Sequence, residues 1–322
     1  MPRAAALLAL AVLAVLGVLA PLVGCGSAGP DRRSAPEAVD VVATTTVLGD
    51  LARAVGGREA DVHQLLQPNS DPHDYEPRPD DVVAVSRARL VLTSGDGLDA
   101  WSGAVVRQAG GDPRVLDVGA QVPIVRASGG DRDPHWWHDP RNAEAAVAAI
   151  RDALVRARPA ARAIYERRAA AELRRLRALD SAIARCVAAI PPARRVLVTD
   201  HDAFGYFADR YRIRIAGTVI QSATTQGQPS AGDLADLVRT IERSRARTVF
   251  SERSVSAKLA QAVAESAPTH PRVDDSLYGD ALGAAGSDGA TYLTMEAHNA
   301  DAIARGLGGG HGCPAALAAG SR

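Results

Sequence analysis

The sequence predicts an α/β protein built as two similar lobes, each a parallel sheet covered by helices, joined by one long helix, with a binding site in the cleft between the lobes. Three observations carry that prediction. Short apolar runs alternate with helical stretches twice over, once on each side of the chain's middle. The segment from Ala160 to Ile190 contains neither Gly nor Pro. Histidines or carboxylates follow several predicted strands, and in open parallel sheets the ligand site lies beyond the carboxyl ends of strands.

In the first half, Val39–Leu48 (VDVVATTTVL) reads as a buried strand rich in β-branched residues. It is followed by the helical pattern LGDLARAVGG, with Gly56-Gly57 as its stop. The runs DVHQLL, RARLVLTSG and PRVLDVG continue the alternation. A helix then begins at Asp139-Pro140, Asp as N-cap and Pro in the first turn, and extends to about Arg158.

Pro159 marks a second helix start, and Pro191-Pro192 stop it. Leu173, Leu176, Leu179, Ile183, Val187 and Ile190 fall on one stripe at helical spacing. At 1.5 Å per residue the helix would be roughly 45 Å long, enough to traverse the molecule as a stiff connector. The stripe is too short to favour a coiled-coil dimer, so the chain is read as a monomer. Beyond it come RRVLVTD as strand, AFGYFADRY as helix, IRIAGTVIQ as strand, SAGDLADLVRTIERS as helix, ARTVFSE as strand, SVSAKLAQAVAES as helix and PRVDDS as strand. Ser230 with Asp233 makes a start resembling a capping box.

The amino terminus carries one early positive charge, an apolar run from Ala4 to Val23, then Gly24 and Cys25, the pattern of an export signal. The run is also long enough for an uncleaved anchor. LVGC at Leu22–Cys25 resembles the lipobox of bacterial lipoproteins, which implies cleavage before Cys25 and a lipid on that cysteine. The expected organisation is a signal peptide at 1–24, a tether at 25–38, an N-terminal lobe at 39–158, a connecting helix at 159–190, a C-terminal lobe at 191–313 and a tail at 314–322. Two cysteines remain, Cys186 and Cys313, and in an exported protein such a pair is more often bonded than free. Their bond would contribute roughly 4 to 5 kcal/mol in the chain-entropy model.

The mature chain would still hold two domains with proper cores, so neither metal nor disulfide is required for folding. Charge is balanced, with 37 basic and 37 acidic residues, and 4% aromatics leave no interleaved basic and aromatic stripe. That composition argues against nucleic acid as a partner.

Four stretches concentrate chemistry: DPHDYEP around His73, DPHWWHDP around His135, VTDHDAFGYFA around His201 and VDDSLYG around Asp274 and Asp275. Three imidazoles and one carboxylate form the ligand set of a four-coordinate transition-metal site. Each stretch also has a plainer reading. Asp71-Pro72-His73 serves as a turn with Asp71 bonding the backbone, His135 packs in an aromatic cluster with Trp136 and Trp137, His201 caps a helix, and Asp275 is a loop carboxylate.

In order and spacing, however, the lipobox, these stretches, the long helix ending in Pro, IQSATT, FSERSVSAK, and DDS followed by TYLTMEAHN resemble one family. It is that of the metal-binding lipoproteins of bacterial zinc and manganese ABC importers, the cluster 9 solute-binding proteins. The resemblance implies a metal held between two α/β lobes by His73, His135, His201 and Asp275, and a membrane permease as partner. Asp275 is preferred to Asp274 because the family's ligating Asp precedes a small residue, here Ser276, and because neighbouring strand side chains face opposite ways. His138 is set outside the ligand set, with ligation as its second reading. His63, His270, His298 and His311 are read as surface or structural residues.

Zinc is the expected cargo, because imidazole suits zinc and an oxygen-richer shell suits manganese, with Mn²⁺ as the alternative. The segment around Val125–Asp133, where zinc importers carry a His-rich loop, contains no histidine. A zinc-dependent hydrolase is the rival from another class. It would need an open coordination position and a base, and the nearest carboxylate, Glu76, sits in a turn. A surface adhesin is a further reading by family association alone.

Overall fold

The computed structural model describes residues 38–123, 132–308 and 313. The apolar run Ala4–Val23, Cys25, the tether and most of the Val125–Asp133 segment lie outside the described residues. Among the described residues no helix is long and apolar enough to cross a membrane.

The first lobe contains β1 (Val39–Ala43), α1 (Thr46–Gly56), β2 (Ala60–Gln64), α2 (Pro79–Arg87), β3 (Leu90–Thr93), α3 (Ser102–Ala109), β4 (Arg114–Asp117) and α4 (Pro140–Ala157). After α5 (Arg162–Ala188), the second contains β5 (Val196–Thr199), α6 (Gly205–Tyr211), β6 (Arg214–Thr218), α7 (Ala231–Ser244), β7 (Thr248–Glu252), α8 (Lys258–Ser266), β8 (Arg272–Leu277) and α9 (Tyr292–Gly308). Both sheets are four-stranded and parallel, in the orders β2-β1-β3-β4 and β6-β5-β7-β8. The two halves therefore repeat one topology, and each has a switch point where the strand order reverses, between β1 and β3 and between β5 and β7.

The first predicted strand is shorter than expected. The strand read over 39–48 ends at Ala43, because the Thr45 side chain accepts a hydrogen bond from Leu48 N at 3.3 Å and starts α1 as its N-cap. Two other caps form as the sequence predicts. Asp139 accepts from Arg141 N ahead of Pro140, and Ser230 and Asp233 close a reciprocal capping box at α7.

Apolar side chains form three layers. The outer face of the first sheet packs under α2 and α3 through Val42, Val85, Val91 and Val105. The outer face of the second packs under α7 and α8 through Val198, Leu237, Ile241 and Val263. The inner faces share one continuous core that runs from Leu48, Leu90 and Leu92 through Trp136, Ile150 and Leu154 to Phe204, Phe250 and Ile303. The helix α5, about 40 Å long, crosses this shared layer with Leu176, Leu179, Ile183 and Val187 buried on one stripe. It is pinned at both ends: Tyr165 donates to Glu59 O in the first lobe (2.9 Å), and Asp180 accepts from Tyr211 and Arg210 of α6 (3.1 and 2.5 Å). Truncating Ile183, which is fully buried, to Ala would cost roughly 2–5 kcal/mol. Cys186 near the end of α5 is bonded to Cys313, with Cα atoms 5.4 Å apart.

Candidate metal centre

The residue that organises the His73 turn is Asp71. Its Oδ1 accepts from His73 N at 2.8 Å, and Pro72 between them fixes a short 3-10 turn over Pro72–Asp74. The same three residues recur at Asp133-Pro134-His135, where Asp133 Oδ1 accepts from His135 N at 2.9 Å. The turn that follows is anchored by two indoles. Trp136 Nε1 donates to Ser94 O at the end of β3 (3.2 Å), and Trp137 Nε1 reaches across to Gly279 O of the second lobe (2.9 Å). His201 follows β5 directly, its N–H bonded to Asp200 Oδ1, while Asp200 Oδ2 accepts from Ser251 Oγ and Glu252 N at the end of β7. Asp200 thus ties the second lobe's switch point together.

These turns bring three histidines into contact, with ring centroids 5.2–5.9 Å apart. Against them lies the carboxylate of Asp280. Its Oδ1 is 3.2 Å from His135 Nε2, and its Oδ2 is 3.4 Å from His73 Nε2 and 3.5 Å from His201 Nε2. One atom from each of the four side chains falls within 4.8 Å of the others. None of the three Nε2 atoms or the two Asp280 oxygens has a hydrogen-bond partner among the described residues, although all are buried. Buried polar atoms are normally paired. Five buried atoms without partners, on four side chains gathered this closely, are an arrangement that a cation completes.

The fourth position corrects the sequence expectation. Asp275 is exposed on β8 and lines a shallow pocket with Asn69 and Arg253, while Asp274 accepts from Ser276 N and Oγ. The carboxylate at the cluster stands three residues past the strand. There Tyr278 is clamped by Asn299 on both its N–H and C=O (2.9 and 2.8 Å), and Gly279 turns the chain inward. A Cβ at Gly279 would collide with Glu252 Oε2, the oxygen that accepts from Asp280 N at 2.9 Å. Within residues 272–281 the pattern of Asp before a small residue occurs twice, at Asp275-Ser276 and Asp280-Ala281, and burial separates the two.

Sequence reasoning also missed the carboxylates behind the imidazoles. Asp133 Oδ1 lies 2.7 Å from His135 Nδ1, and Glu252 Oε1 lies 2.8 Å from His201 Nδ1. Both leave Nε2 as the nitrogen facing the cluster, the orienting arrangement that metal-binding histidines use. Burial alone would lower the His135 pKa, but the Asp280 charge and the hydrogen bond to Asp133 outweigh it and lift the group to about 9. For His201 burial is likewise overridden, by Glu252 and then Asp280, and its pKa is raised well above the ordinary value. Asp280, which burial would raise, is held well below the usual carboxylate range by His201, His135 and His73. His138 turns away: its Nδ1 meets Glu296 at 2.7 Å and its ring stacks on Phe204 at 4.4 Å. His298 is bound to Asp288 and Ser276 O, and His63, His270 and Glu76 are exposed.

Two doubly wound lobes on a shared core, with three imidazoles and a carboxylate converging at their facing strand ends, define a solute-binding protein for metal ions. The profile described as zinc-uptake complex component A, periplasmic, matches residues 41–306, and the chain belongs to that family. Relatives include the manganese-binding lipoprotein MntA of Halalkalibacterium halodurans, 30% identical over 285 residues covering 88% of this chain and 93% of that protein. The zinc-binding protein TroA of Treponema pallidum is 30% identical over 273 residues, covering 83% and 88%. The iron-binding protein YfeA of Yersinia pestis is 31% identical over 271 residues, covering 83% and 86%. The solved structure of the Treponema pallidum TroA superposes with a TM-score of 0.79 at 29% identity, covering 84% of this chain and 99% of that one. The chain is a metal-binding substrate-binding protein of the ABC importer type and, like its family, not an enzyme.

Proposed function

We propose that this protein captures Zn²⁺ outside the cytoplasm and hands it to an importer permease, with His73, His135, His201 and Asp280 as the ligands. The observation that carries this reading is the set of five buried, unpartnered atoms, three imidazole nitrogens and both Asp280 oxygens, on four side chains whose ligand atoms lie within 4.8 Å of one another. A shell richer in nitrogen than in oxygen favours zinc over manganese. The relatives' printed cargoes, manganese, zinc and iron, make the ion the point to test. In this reading Cys25 carries a lipid that anchors a monomer to the membrane, the lobes at 39–158 and 191–313 flank the connecting helix at 159–190, and the loaded lobes dock together on the permease.

Capture follows from the electrostatics. The cluster sets the Asp280 carboxylate against three imidazoles that must be neutral to ligate, with Asp133 and Glu252 behind two of them. A divalent cation replaces the protons on the raised histidines and gives the unpartnered atoms a common partner. Competitive titration of the soluble domain, residues 26–322, with Zn²⁺ and Mn²⁺ tests the reading. One zinc per chain that manganese does not displace supports it. A manganese preference would overturn the assignment of cargo, and no stoichiometric metal would overturn the site.

A further inference from the structure

We propose that Thr225 and Asp71 act as a positioning pair across the cleft, holding His73 in the cluster and setting how fast the site exchanges its ion. The inference rests on the reading of His73 as a ligand. It begins from an asymmetry of exposure. The His73 side chain keeps 6% of its surface accessible, against 0–1% for His135, His201 and Asp280. Solvent therefore reaches the cluster past His73. The three imidazoles are also supported differently. The Nδ1 of His135 and of His201 each meets a buried carboxylate, whereas among the described residues no such partner contacts His73 Nδ1. The orientation of His73 depends on its backbone turn, and that turn depends on Asp71.

Asp71 is held from the opposite lobe. Its Oδ2 accepts from Thr225 Oγ1 at 2.6 Å, a contact between residues 154 apart in sequence. Thr225 lies in the segment after β6, whose near end is fastened beside His201. Ile220 N donates to Asp200 O (2.7 Å) and Asp202 N donates to Ser222 O (3.0 Å). Inside the segment, Thr224 N donates to Ser222 Oγ and Gln226 N to Thr224 Oγ1, so the strap is internally braced. One short stretch of the second lobe thus runs from the neighbours of His201 to the residue that fixes the His73 turn. A hydrogen bond to a carboxylate contributes more than a neutral one. Losing it frees Asp71 to rotate, the turn to loosen and His73 to leave the ion first.

The test is metal release into excess chelator, followed by stopped flow, from zinc-loaded wild type, Thr225→Ala and Thr225→Ser, with thermal melting of each metal-free protein alongside. The expected result is release about tenfold faster from Thr225→Ala, with one metal per chain retained and the metal-free melt unchanged, and a near wild-type rate in Thr225→Ser, which keeps the hydroxyl. Wild-type release from Thr225→Ala would overturn the proposal, as would a Thr225→Ser variant that behaves like Thr225→Ala. A wild-type protein that holds no metal would overturn both this inference and the site on which it rests.

Discussion

The two Asp-Pro-His turns have the same three residues and the same backbone hydrogen bond, yet they leave their histidines in different situations. At 133–135 the aspartate folds back on its own histidine, meeting both N–H and Nδ1, and the ring is fully buried. At 71–73 the aspartate uses its second oxygen on Thr225 of the other lobe, and the ring stays partly accessible. A local motif fixes the backbone of a turn, whereas tertiary partners decide how firmly its side chain is held. The difference leaves His135 the more firmly held member of the cluster and His73 the more accessible one.

Removing each ring gives the largest contrast. His135→Ala would leave Asp280 and Asp133 without their imidazole in a dry interior, and breaking a buried charged pair costs about 3–5 kcal/mol. The expected outcome is no retained metal after gel filtration and a destabilised metal-free protein in chemical denaturation. His73→Ala is expected to keep a weakly held ion and most of its stability, because its site is at the rim. Equal losses in the two variants would remove the distinction.

The carboxylates come next in size. Loss of a partner that orients a ligating histidine typically lowers metal affinity roughly 10- to 100-fold, which is the expectation for Asp133→Asn in competitive titration. Asp71→Asn is expected to lower affinity by less than about tenfold, with the change falling on the release rate, because Asp71 supports a turn rather than a ring. If Asp71→Asn matched Asp133→Asn at equilibrium, Asp71 would have to act on the His73 ring itself.

Acidity sharpens the same contrast. With His135 lifted to about 9 and His201 also raised, the metal-free protein holds protons on the buried rings at neutral pH. Loading with zinc must then release protons, which calorimetry in buffers of different ionisation enthalpy would detect. Metal affinity falls as pH is lowered, so the rise in melting temperature on loading is expected to shrink from about pH 8 to about pH 5.5. The metal-free protein behaves in the opposite way. The stabilisation from His135 is fully present below its ordinary pKa near 6.5 and is lost as pH rises through about 9. That from Asp280 is present above its ordinary value of 3.8 and is lost only as pH falls through its depressed folded value. A proton release of zero near neutrality would contradict the charged, metal-free cluster.

The sequence carried the fold further than it carried the site. The alternation of apolar runs and the caps at Asp139 and Ser230 are local signals, so the elements and the parallel lobes were legible. The shared inner core was not, because nothing in the stripe of α5 says that one side chain layer serves both sheets. The three histidines stood in recognisable turns. Asp133, Glu252 and Asp200 did not stand out because their roles depend on contacts between strand ends and turns far apart in sequence. Asp133 still had a visible cue, since Asp-Pro-His occurs twice and the first occurrence already read as a turn with Asp bonding the backbone.

The smallest effect tests the fourth ligand. Asp275→Ala removes an exposed carboxylate that makes no contact with the three rings, so zinc stoichiometry, affinity and stability are expected to stay within about 0.5 kcal/mol of wild type, the usual range for surface substitutions. Asp280→Ala at the same assay is expected to abolish tight binding, because it removes the carboxylate that lies against all three rings and the charge that draws the cation. The two aspartates are separated by a strand end and a Tyr-Gly turn. If Asp275→Ala proved the damaging substitution, β8 would have to continue inward past Leu277, and the clamp of Asn299 on Tyr278 would not exist in the loaded protein. Retention of tight zinc by Asp280→Ala would mean that three imidazoles suffice and that the two free oxygens of Asp280 serve only to balance their protons.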